Sequence, residues 1–384
     1  MAKTKYEITA DPDTIIILQN PDAAFASWSL TGGGRDHMAL AHESAVDNSA
    51  VDNPAVEYSA VDNPVVEYSA VDEITPGGAE QETDLIIANE ANKSNSTEGD
   101  EVWYYVSRRH LTAVSPKFER VLVDANWKEG TRDENDGLFH VSATDWDSEA
   151  LRYFLQVLHL RNSQVPREVS LEMLAKIAVL IDFYDCAEAL EPFTERWVEH
   201  ARVVSPVPSD FCRDLILWMC IAWVLKLPNE FLQTTRVAIK ENDREFPTLG
   251  LPITACVDRI EESRTQAIDT IFSQLQSLLE ELGSPQYQCP SGYPFECGSM
   301  LYGALTKEMD LQQLLPAPVA PYSGLSMVEV YKRIQRIRSP VWFFSGHRQK
   351  QIQHSCDLRV KVMAIADSAT RLAIGPGLED FKSH

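Results

Sequence analysis

The feature that most limits how this chain can fold is an acidic, repetitive block near its start. Residues 49–58 read SAVDNPAVEY and residues 59–68 read SAVDNPVVEY, with partial copies before and after them. The surrounding window, 31–100, opens on Gly32-Gly33-Gly34 and carries 15 acids against 2 bases, a net charge of −13. The whole chain of 384 residues has a net charge of −23, so more than half of its excess negative charge lies in this window. Few large apolar residues, a proline in each full repeat and mutual repulsion of carboxylates predict an acidic disordered insert. A period of ten is too short for a helical repeat unit, and two full copies are too few to stack. A binding tail built on the Val-Glu-Tyr motifs is the functional alternative. Any compact fold must therefore be assembled from residues 1–30 and 101–384, across the insert.

The two flanks carry globular patterning. Thr14-Ile15-Ile16-Ile17-Leu18 is a β-branched run that predicts a buried strand, closed by the turn signal Asn20-Pro21-Asp22. A second apolar piece, Phe25-Ala26-Ser27-Trp28, follows. Beyond the insert, Val102–Val106 reads as a strand. Ser115-Pro116 reads as the start of a helix, with Phe118, Val121 and Leu122 on one face. Phe139–Ser142 alternates as a strand does. Asp147-Ser148 caps a helix whose face is Leu151, Phe154, Leu155 and Leu158. Pro166 breaks the chain before a helix from Ser170 with Leu174, Ile177, Ala178 and Ile181 inward, and a fourth helix spans about 188–200. From 203 onward the pattern predicts helices over 209–225, 229–239, 257–281, 299–315 and 326–338, parted by prolines. Residues 358–362 fit either a strand or a helix.

These segments, in this order, resemble the fungal BTB/POZ-domain family. Asp13–Leu18 with Asn20-Pro21 is similar to that family's first strand and turn. Tyr104–Leu111 followed by Ser115-Pro116-Lys117-Phe118 is similar to its third strand and helix pair. Asp145-Trp146-Asp147, Val165-Pro166-Arg167 and the run 170–180 are similar to its closing half. Residues 214–218, 303–309 and 377–381 are similar to segments in the C-terminal half of such proteins, so the resemblance covers about four-fifths of the chain. It implies an α/β (α+β) BTB/POZ-type domain, a small sheet capped by helices, followed by a mostly α-helical C-terminal region. The implied division is 1–30 as N-terminal strands, with Phe25–Trp28 as the second strand, 31–100 as the insert, 101–202 as the remainder of the BTB domain and 203–384 as a helical domain. It also implies binding to protein partners, homodimerisation and, in some members, an adaptor role between a cullin scaffold and the substrate of a ubiquitin ligase.

Composition narrows the alternatives. An acidic chain is repelled by phosphate backbones and anionic lipid, which disfavours nucleic acid and membrane surfaces as partners. The first 22 residues place acids where a signal peptide needs an apolar run, so an intracellular location is expected. The most apolar stretch, 215–225, is far shorter than the roughly 20 residues needed to cross a bilayer and reads as a buried helix. Seven scattered cysteines argue for free thiols in a reducing compartment. Cys186, Cys212, Cys220 and Cys256 sit in apolar patterns and are expected to be buried.

The chemistry-bearing residues are few, and no catalytic or cofactor-binding set stands out. Gly32-Gly33-Gly34 lacks the Lys-Ser/Thr of a phosphate loop. His110 can serve as a general base or simply pack at a strand–helix junction. Asp145 and Asp147 can act as an acid–base pair, but Asp147 is well placed as a helix cap. Cys289, Cys297, His354 and Cys356 offer a Cys₃His set for a structural zinc ion, with His347 as a weaker substitute ligand. Seven residues separate Cys289 from Cys297, where two to four are usual, so four unrelated loop residues remain the alternative. Lys332, Arg333, Arg336 and Arg338 form a basic amphipathic stretch that fits either a solvated face or an acidic partner. Two functions follow, and a third, an enzyme, has no candidate residue set in the sequence. One is a non-enzymatic interaction scaffold. The other is a nuclear regulator binding nucleic acid or chromatin partners through the basic stretch and a zinc-pinned tail.

Overall fold

The computed structural model describes residues 4–28, 101–123, 127–342 and 354–381. The expectations for the acidic insert and for His347 fall outside the described residues. The architecture is mixed, with one small sheet and a larger set of helices.

The sheet has four strands in the order β1-β3-β2-β4. They are β1 (Thr4–Glu7), β2 (Thr14–Gln19), β3 (Glu101–Val106) and β4 (Phe139–Thr144). The β-branched run forms β2, which pairs antiparallel with β3 (Ile16 opposite Tyr104) and parallel with β4 (Ile16 opposite Val141). Thr14, Ile15, Ile16 and Leu18 are all buried, as expected of a strand covered on both faces. The short β1 was not legible as a strand. It pairs parallel with β3 at the sheet edge, where Tyr6 stacks on Tyr104 with centroids 5.4 Å apart.

Phe25–Trp28 is not the second strand that the resemblance implied. The segment has no regular secondary structure, and Ala26 sits at a φ of +46°, which a strand cannot contain. Its carbonyls are taken by a side chain rather than by a ladder. Arg213 donates to the Ala26 oxygen at 2.9 Å and to the Phe25 oxygen at 3.1 Å. The segment thus fastens the sheet region to the first helix of the C-terminal half.

Helices cover the sheet as the patterning leads one to expect. Ser115 caps α2 (Pro116–Val123), its Oγ accepting from the Phe118 N–H at 3.1 Å, and directly precedes it after α1 (Arg108–Val114). Asp147 caps α3 (Ser148–Leu158) through the Ala150 N–H at 2.8 Å, and Ser170 caps α4 (Leu171–Tyr184). The ring of Tyr184 stacks on Phe118 at 4.4 Å and packs on Phe154 at 5.3 Å, closing the layer. Helix α5 (Ala187–Val204) runs past the expected boundary at 203, and the core does not stop there. Helix α6 (Arg213–Val224) packs against α4, with Leu215 to Ala222 all buried. Its apolar run is a core helix. No helix among the described residues is long and apolar enough to cross a membrane.

In the helical half, α8 (Thr254–Gly283) is the spine, about 45 Å long at 1.5 Å per residue. Helices α7 (Pro228–Glu241), α9 (Pro294–Leu311), α10 (Met327–Gln335) and α11 (Leu358–Leu372) pack around it. Residues 358–362 resolve as helix. The side chains of Leu358, Val362, Ala366 and Ala369 make one buried stripe at helical spacing, and Asp357 caps it by accepting from the Arg359 N–H at 2.9 Å.

One buried cation organises this half. Arg264 replaces an apolar residue on the inner stripe of α8, one turn after Ile260. Its guanidinium donates to the carbonyls of Asn242, Pro321, Tyr322 and Leu325 at 2.8–3.0 Å, with Glu261 beside it. Four carbonyls of two loops are thereby satisfied by a planar fork of donors.

Candidate metal centre

Three segments, two of them close in sequence and one far along the chain, meet at one point. The loop between α8 and α9 brings Cys289. The first turn of α9 brings Cys297, whose N–H donates to the Tyr293 oxygen at 3.0 Å. The segment entering α11 brings His354 and Cys356. The local folding is visible in small contacts. Gly298 lets α9 approach, since a Cβ there would lie 3.0 Å from the Leu282 oxygen and 3.1 Å from the Tyr287 ring. The hydroxyls of Ser291 and Ser355, 2.9 Å apart, hold the two loops side by side.

The four ligand atoms lie within 4.8 Å of one another, a set that can hold a metal ion. Cys289 Sγ is 3.9 Å from Cys356 Sγ and 3.6 Å from His354 Nε2. A tetrahedral zinc with Zn–S of about 2.3 Å and Zn–N of about 2.0–2.1 Å requires S···S of about 3.8 Å and S···N of about 3.6 Å. Both observed distances match that tetrahedron. Cys297 and Cys356 are buried, whereas Cys289 and His354 are half-buried and form the outer side.

A supporting shell surrounds the donors. The Tyr287 hydroxyl lies 3.5 Å from Cys356 Sγ and 3.7 Å from Cys297 Sγ, placed to hydrogen-bond thiolate sulfurs. The ring of Trp342 stacks on His354, with centroids 4.1 Å apart and planes 14° from parallel, and fixes the imidazole plane. His354 Nδ1 accepts from the Cys356 N–H at 3.1 Å. Metal ligation through Nε2 places the ring proton on Nδ1, so that contact must open when a metal enters.

The thiols differ electrostatically. Burial raises Cys289, but the backbone N–H groups of Tyr293 and Ser291 and the neighbouring thiols outweigh it and hold Cys289 below its ordinary value. Burial pushes the Cys297 thiol up to about 12, so a metal must displace its proton. Burial also raises Tyr287, with Cys356 and Cys297 adding to it, so its hydroxyl stays a donor.

The other sequence candidates find structural partners. Asp147 is a cap and also meets Lys176 Nζ at 2.8 Å. The Asp145 carboxylate accepts from Asn20 and from Thr144, fastening the turn after β4. His110 stacks on His159 at 5.0 Å beneath α3. In the basic stretch, Arg333 pairs with Glu329 and Arg338 with Glu308, while Ile334 and Ile337 are buried. Of the four cysteines expected in the core, Cys212 is only half-buried, because it precedes α6 rather than lying within it. Sequence reasoning missed Tyr287, Trp342 and Arg264. Only Arg264 left a signal, as a cation on an otherwise apolar helical stripe.

No protein-family model, curated protein or solved structure matches the chain.

Proposed function

We propose that this chain is a non-enzymatic protein-interaction scaffold of the BTB/POZ kind whose helical half is locked by a structural zinc ion. The observation that carries the zinc assignment is the convergence of Cys289, Cys297, His354 and Cys356 within 4.8 Å of one another, with the Cys289–Cys356 and Cys289–His354 distances those of a zinc tetrahedron. Three thiolates and an imidazole form a closed, soft donor set suited to structural zinc, with no position left for substrate. The zinc would pin the start of α11 to the loop between α8 and α9.

The scaffold assignment draws on the order of elements. An antiparallel β2–β3 pair leads into the α1–α2 pair, then β4, then α3 to α5, which apart from the missing strand at Phe25–Trp28 is the order that the BTB/POZ resemblance implies. Such a module works by presenting a rigid surface to protein partners, here a second copy of the chain or a cullin-type scaffold within an intracellular ubiquitin ligase. Light scattering coupled to size exclusion tests it, on the full chain and on a deletion of 31–100. A concentration-dependent dimer that survives the deletion supports the reading. A monomer at every concentration removes the homodimeric scaffold. Titration with zinc, read by metal analysis of the purified protein, tests the lock.

A further inference from the structure

The four donors of the cluster differ in one respect that matters for chemistry, which is access. Cys289 lies on the outer loop and is half-buried, whereas Cys297 is fully buried and Cys356 nearly so. A small oxidant from solvent therefore meets the Cys289 sulfur first. For a second step, Cys356 Sγ lies 3.9 Å from it. Closing that gap to a disulfide length of about 2.0 Å takes a movement of about 2 Å, within reach of side-chain rotation. The Ser291–Ser355 hydrogen bond already holds the two backbones together beside the pair. Cys297 is fully buried, whereas Cys356 keeps slight exposure, so Cys297 is the poorer partner.

We propose that Cys289 and Cys356 form a peroxide-responsive disulfide pair whose closure expels the metal while keeping α11 fastened. The step balances. The Cys289 sulfur attacks one oxygen of a hydroperoxide, the O–O bond breaks, and the leaving oxygen departs as hydroxide and is protonated to water. Cys289 is then a sulfenic acid. The Cys356 sulfur attacks it, the S–O bond breaks, and a second hydroxide leaves and is protonated. Two sulfurs have given up two electrons, and the hydrogen peroxide has become two waters. The metal loses two of its three thiolates and is left with Cys297 and His354, too few donors to hold it. The metal part of this inference rests on the zinc reading above. The pairing of the two sulfurs rests on their distance and access.

Oxidation thus exchanges one tie for another. In the reduced chain a metal joins the α8–α9 loop to the entry of α11, and in the oxidised chain a covalent bond joins the same two segments. Chelation without oxidation removes the tie altogether. Oxidised and chelated chains are therefore expected to differ in the hydrogen exchange of residues 358–372, protected in the first and exposed to exchange in the second.

The test uses the zinc-loaded full chain treated with hydrogen peroxide. Released zinc is followed with a chromogenic chelator, and disulfides are mapped by peptide mass spectrometry without reduction. The expected result is zinc release in step with a Cys289–Cys356 linkage, reversed by dithiothreitol and added zinc, with half-buried Cys212 left unlinked. Cys356→Ser is expected to accumulate sulfenic acid at Cys289 and to lose the linkage. A Cys289–Cys297 linkage, or zinc release with only sulfinic acid at Cys289, overturns the proposal. So does a cluster whose thiols are no more reactive than Cys212. Metal analysis before oxidation separates the two readings. A chain that carries no zinc but still links Cys289 to Cys356 overturns the metal reading and supports the pair. A zinc-bearing chain that resists peroxide does the reverse.

Discussion

The sheet-bearing half and the helical half are held together in different ways. In the first, ladder pairing and apolar burial do nearly everything. Strand β2 is enclosed on both sides, and Phe118, Phe154 and Tyr184 pack into one aromatic layer above it. In the second, two polar devices sit inside the apolar packing. Arg264 gathers the carbonyls of two loops, and the Cys₃His cluster gathers three chain segments. The lesson concerns what each element offers its neighbours. Strand edges and apolar faces position β2 against β3 even though residues 20–100 lie between them. Where long, proline-rich loops join the helices, Arg264 and the Cys₃His cluster draw the loops together.

The largest expected effects come from one truncation in each half. Phe154→Ala empties a fully buried site and is expected to cost about 3–5 kcal/mol in denaturant unfolding. Arg264→Leu removes the donors of four carbonyls, three of them in buried contacts, and is expected to cost about 3–5 kcal/mol, despite its added apolar atoms. If Arg264→Leu were neutral, the polar account of the helical half would fail and the two halves would be alike.

Metal removal comes next. Chelation is expected to cost about 2–3 kcal/mol, read as faster hydrogen exchange across α11, with β2 and β3 unchanged. Equal loosening of both halves would contradict a local lock. Metal affinity should also fall as pH is lowered, because three thiols and a protonated imidazole must give up their protons before they can bind.

A smaller effect is expected from Ser170→Ala, which deletes the cap of α4 and should cost about 1 kcal/mol in the same unfolding experiment. The smallest concerns Glu308. Its hydrogen bonds from Arg338 outweigh burial and hold its carboxyl below the ordinary value of 4.5. A depressed folded value means that the pair stabilises the helical half above pH 4.5 and ceases to do so as pH falls through the folded value. Because Arg338 is largely exposed, solvent and salt screen much of this contribution. Comparing pH–stability curves of the wild type and Glu308→Gln checks it, the difference being expected to vanish at low pH.

Much of the fold was legible in the sequence for physical reasons that differ between the halves. The β-branched run of β2 and the Ser115, Asp147 and Ser170 caps are local signals, and each is realised within a few residues. Strand β1 is four residues long, mostly exposed, and defined only by its partner β3, so nothing local marked it. Phe25–Trp28 carries a strand-like composition, yet Arg213, far along the chain, takes its carbonyls. The opening residues of α11 alternate as a strand does, and only the longer stripe through Ala369 reveals the helix. The four donors of the Cys₃His cluster were legible as residue types. Their convergence was not, because it depends on how α9 and α11 pack on α8.

The measurement that tests the account most directly is the metal content of the purified full chain, by native mass spectrometry, for the wild type and for Cys297→Ser. The account expects one zinc per wild-type chain and none held by the variant. A wild-type chain that remains metal-free when folded and supplied with zinc would contradict it.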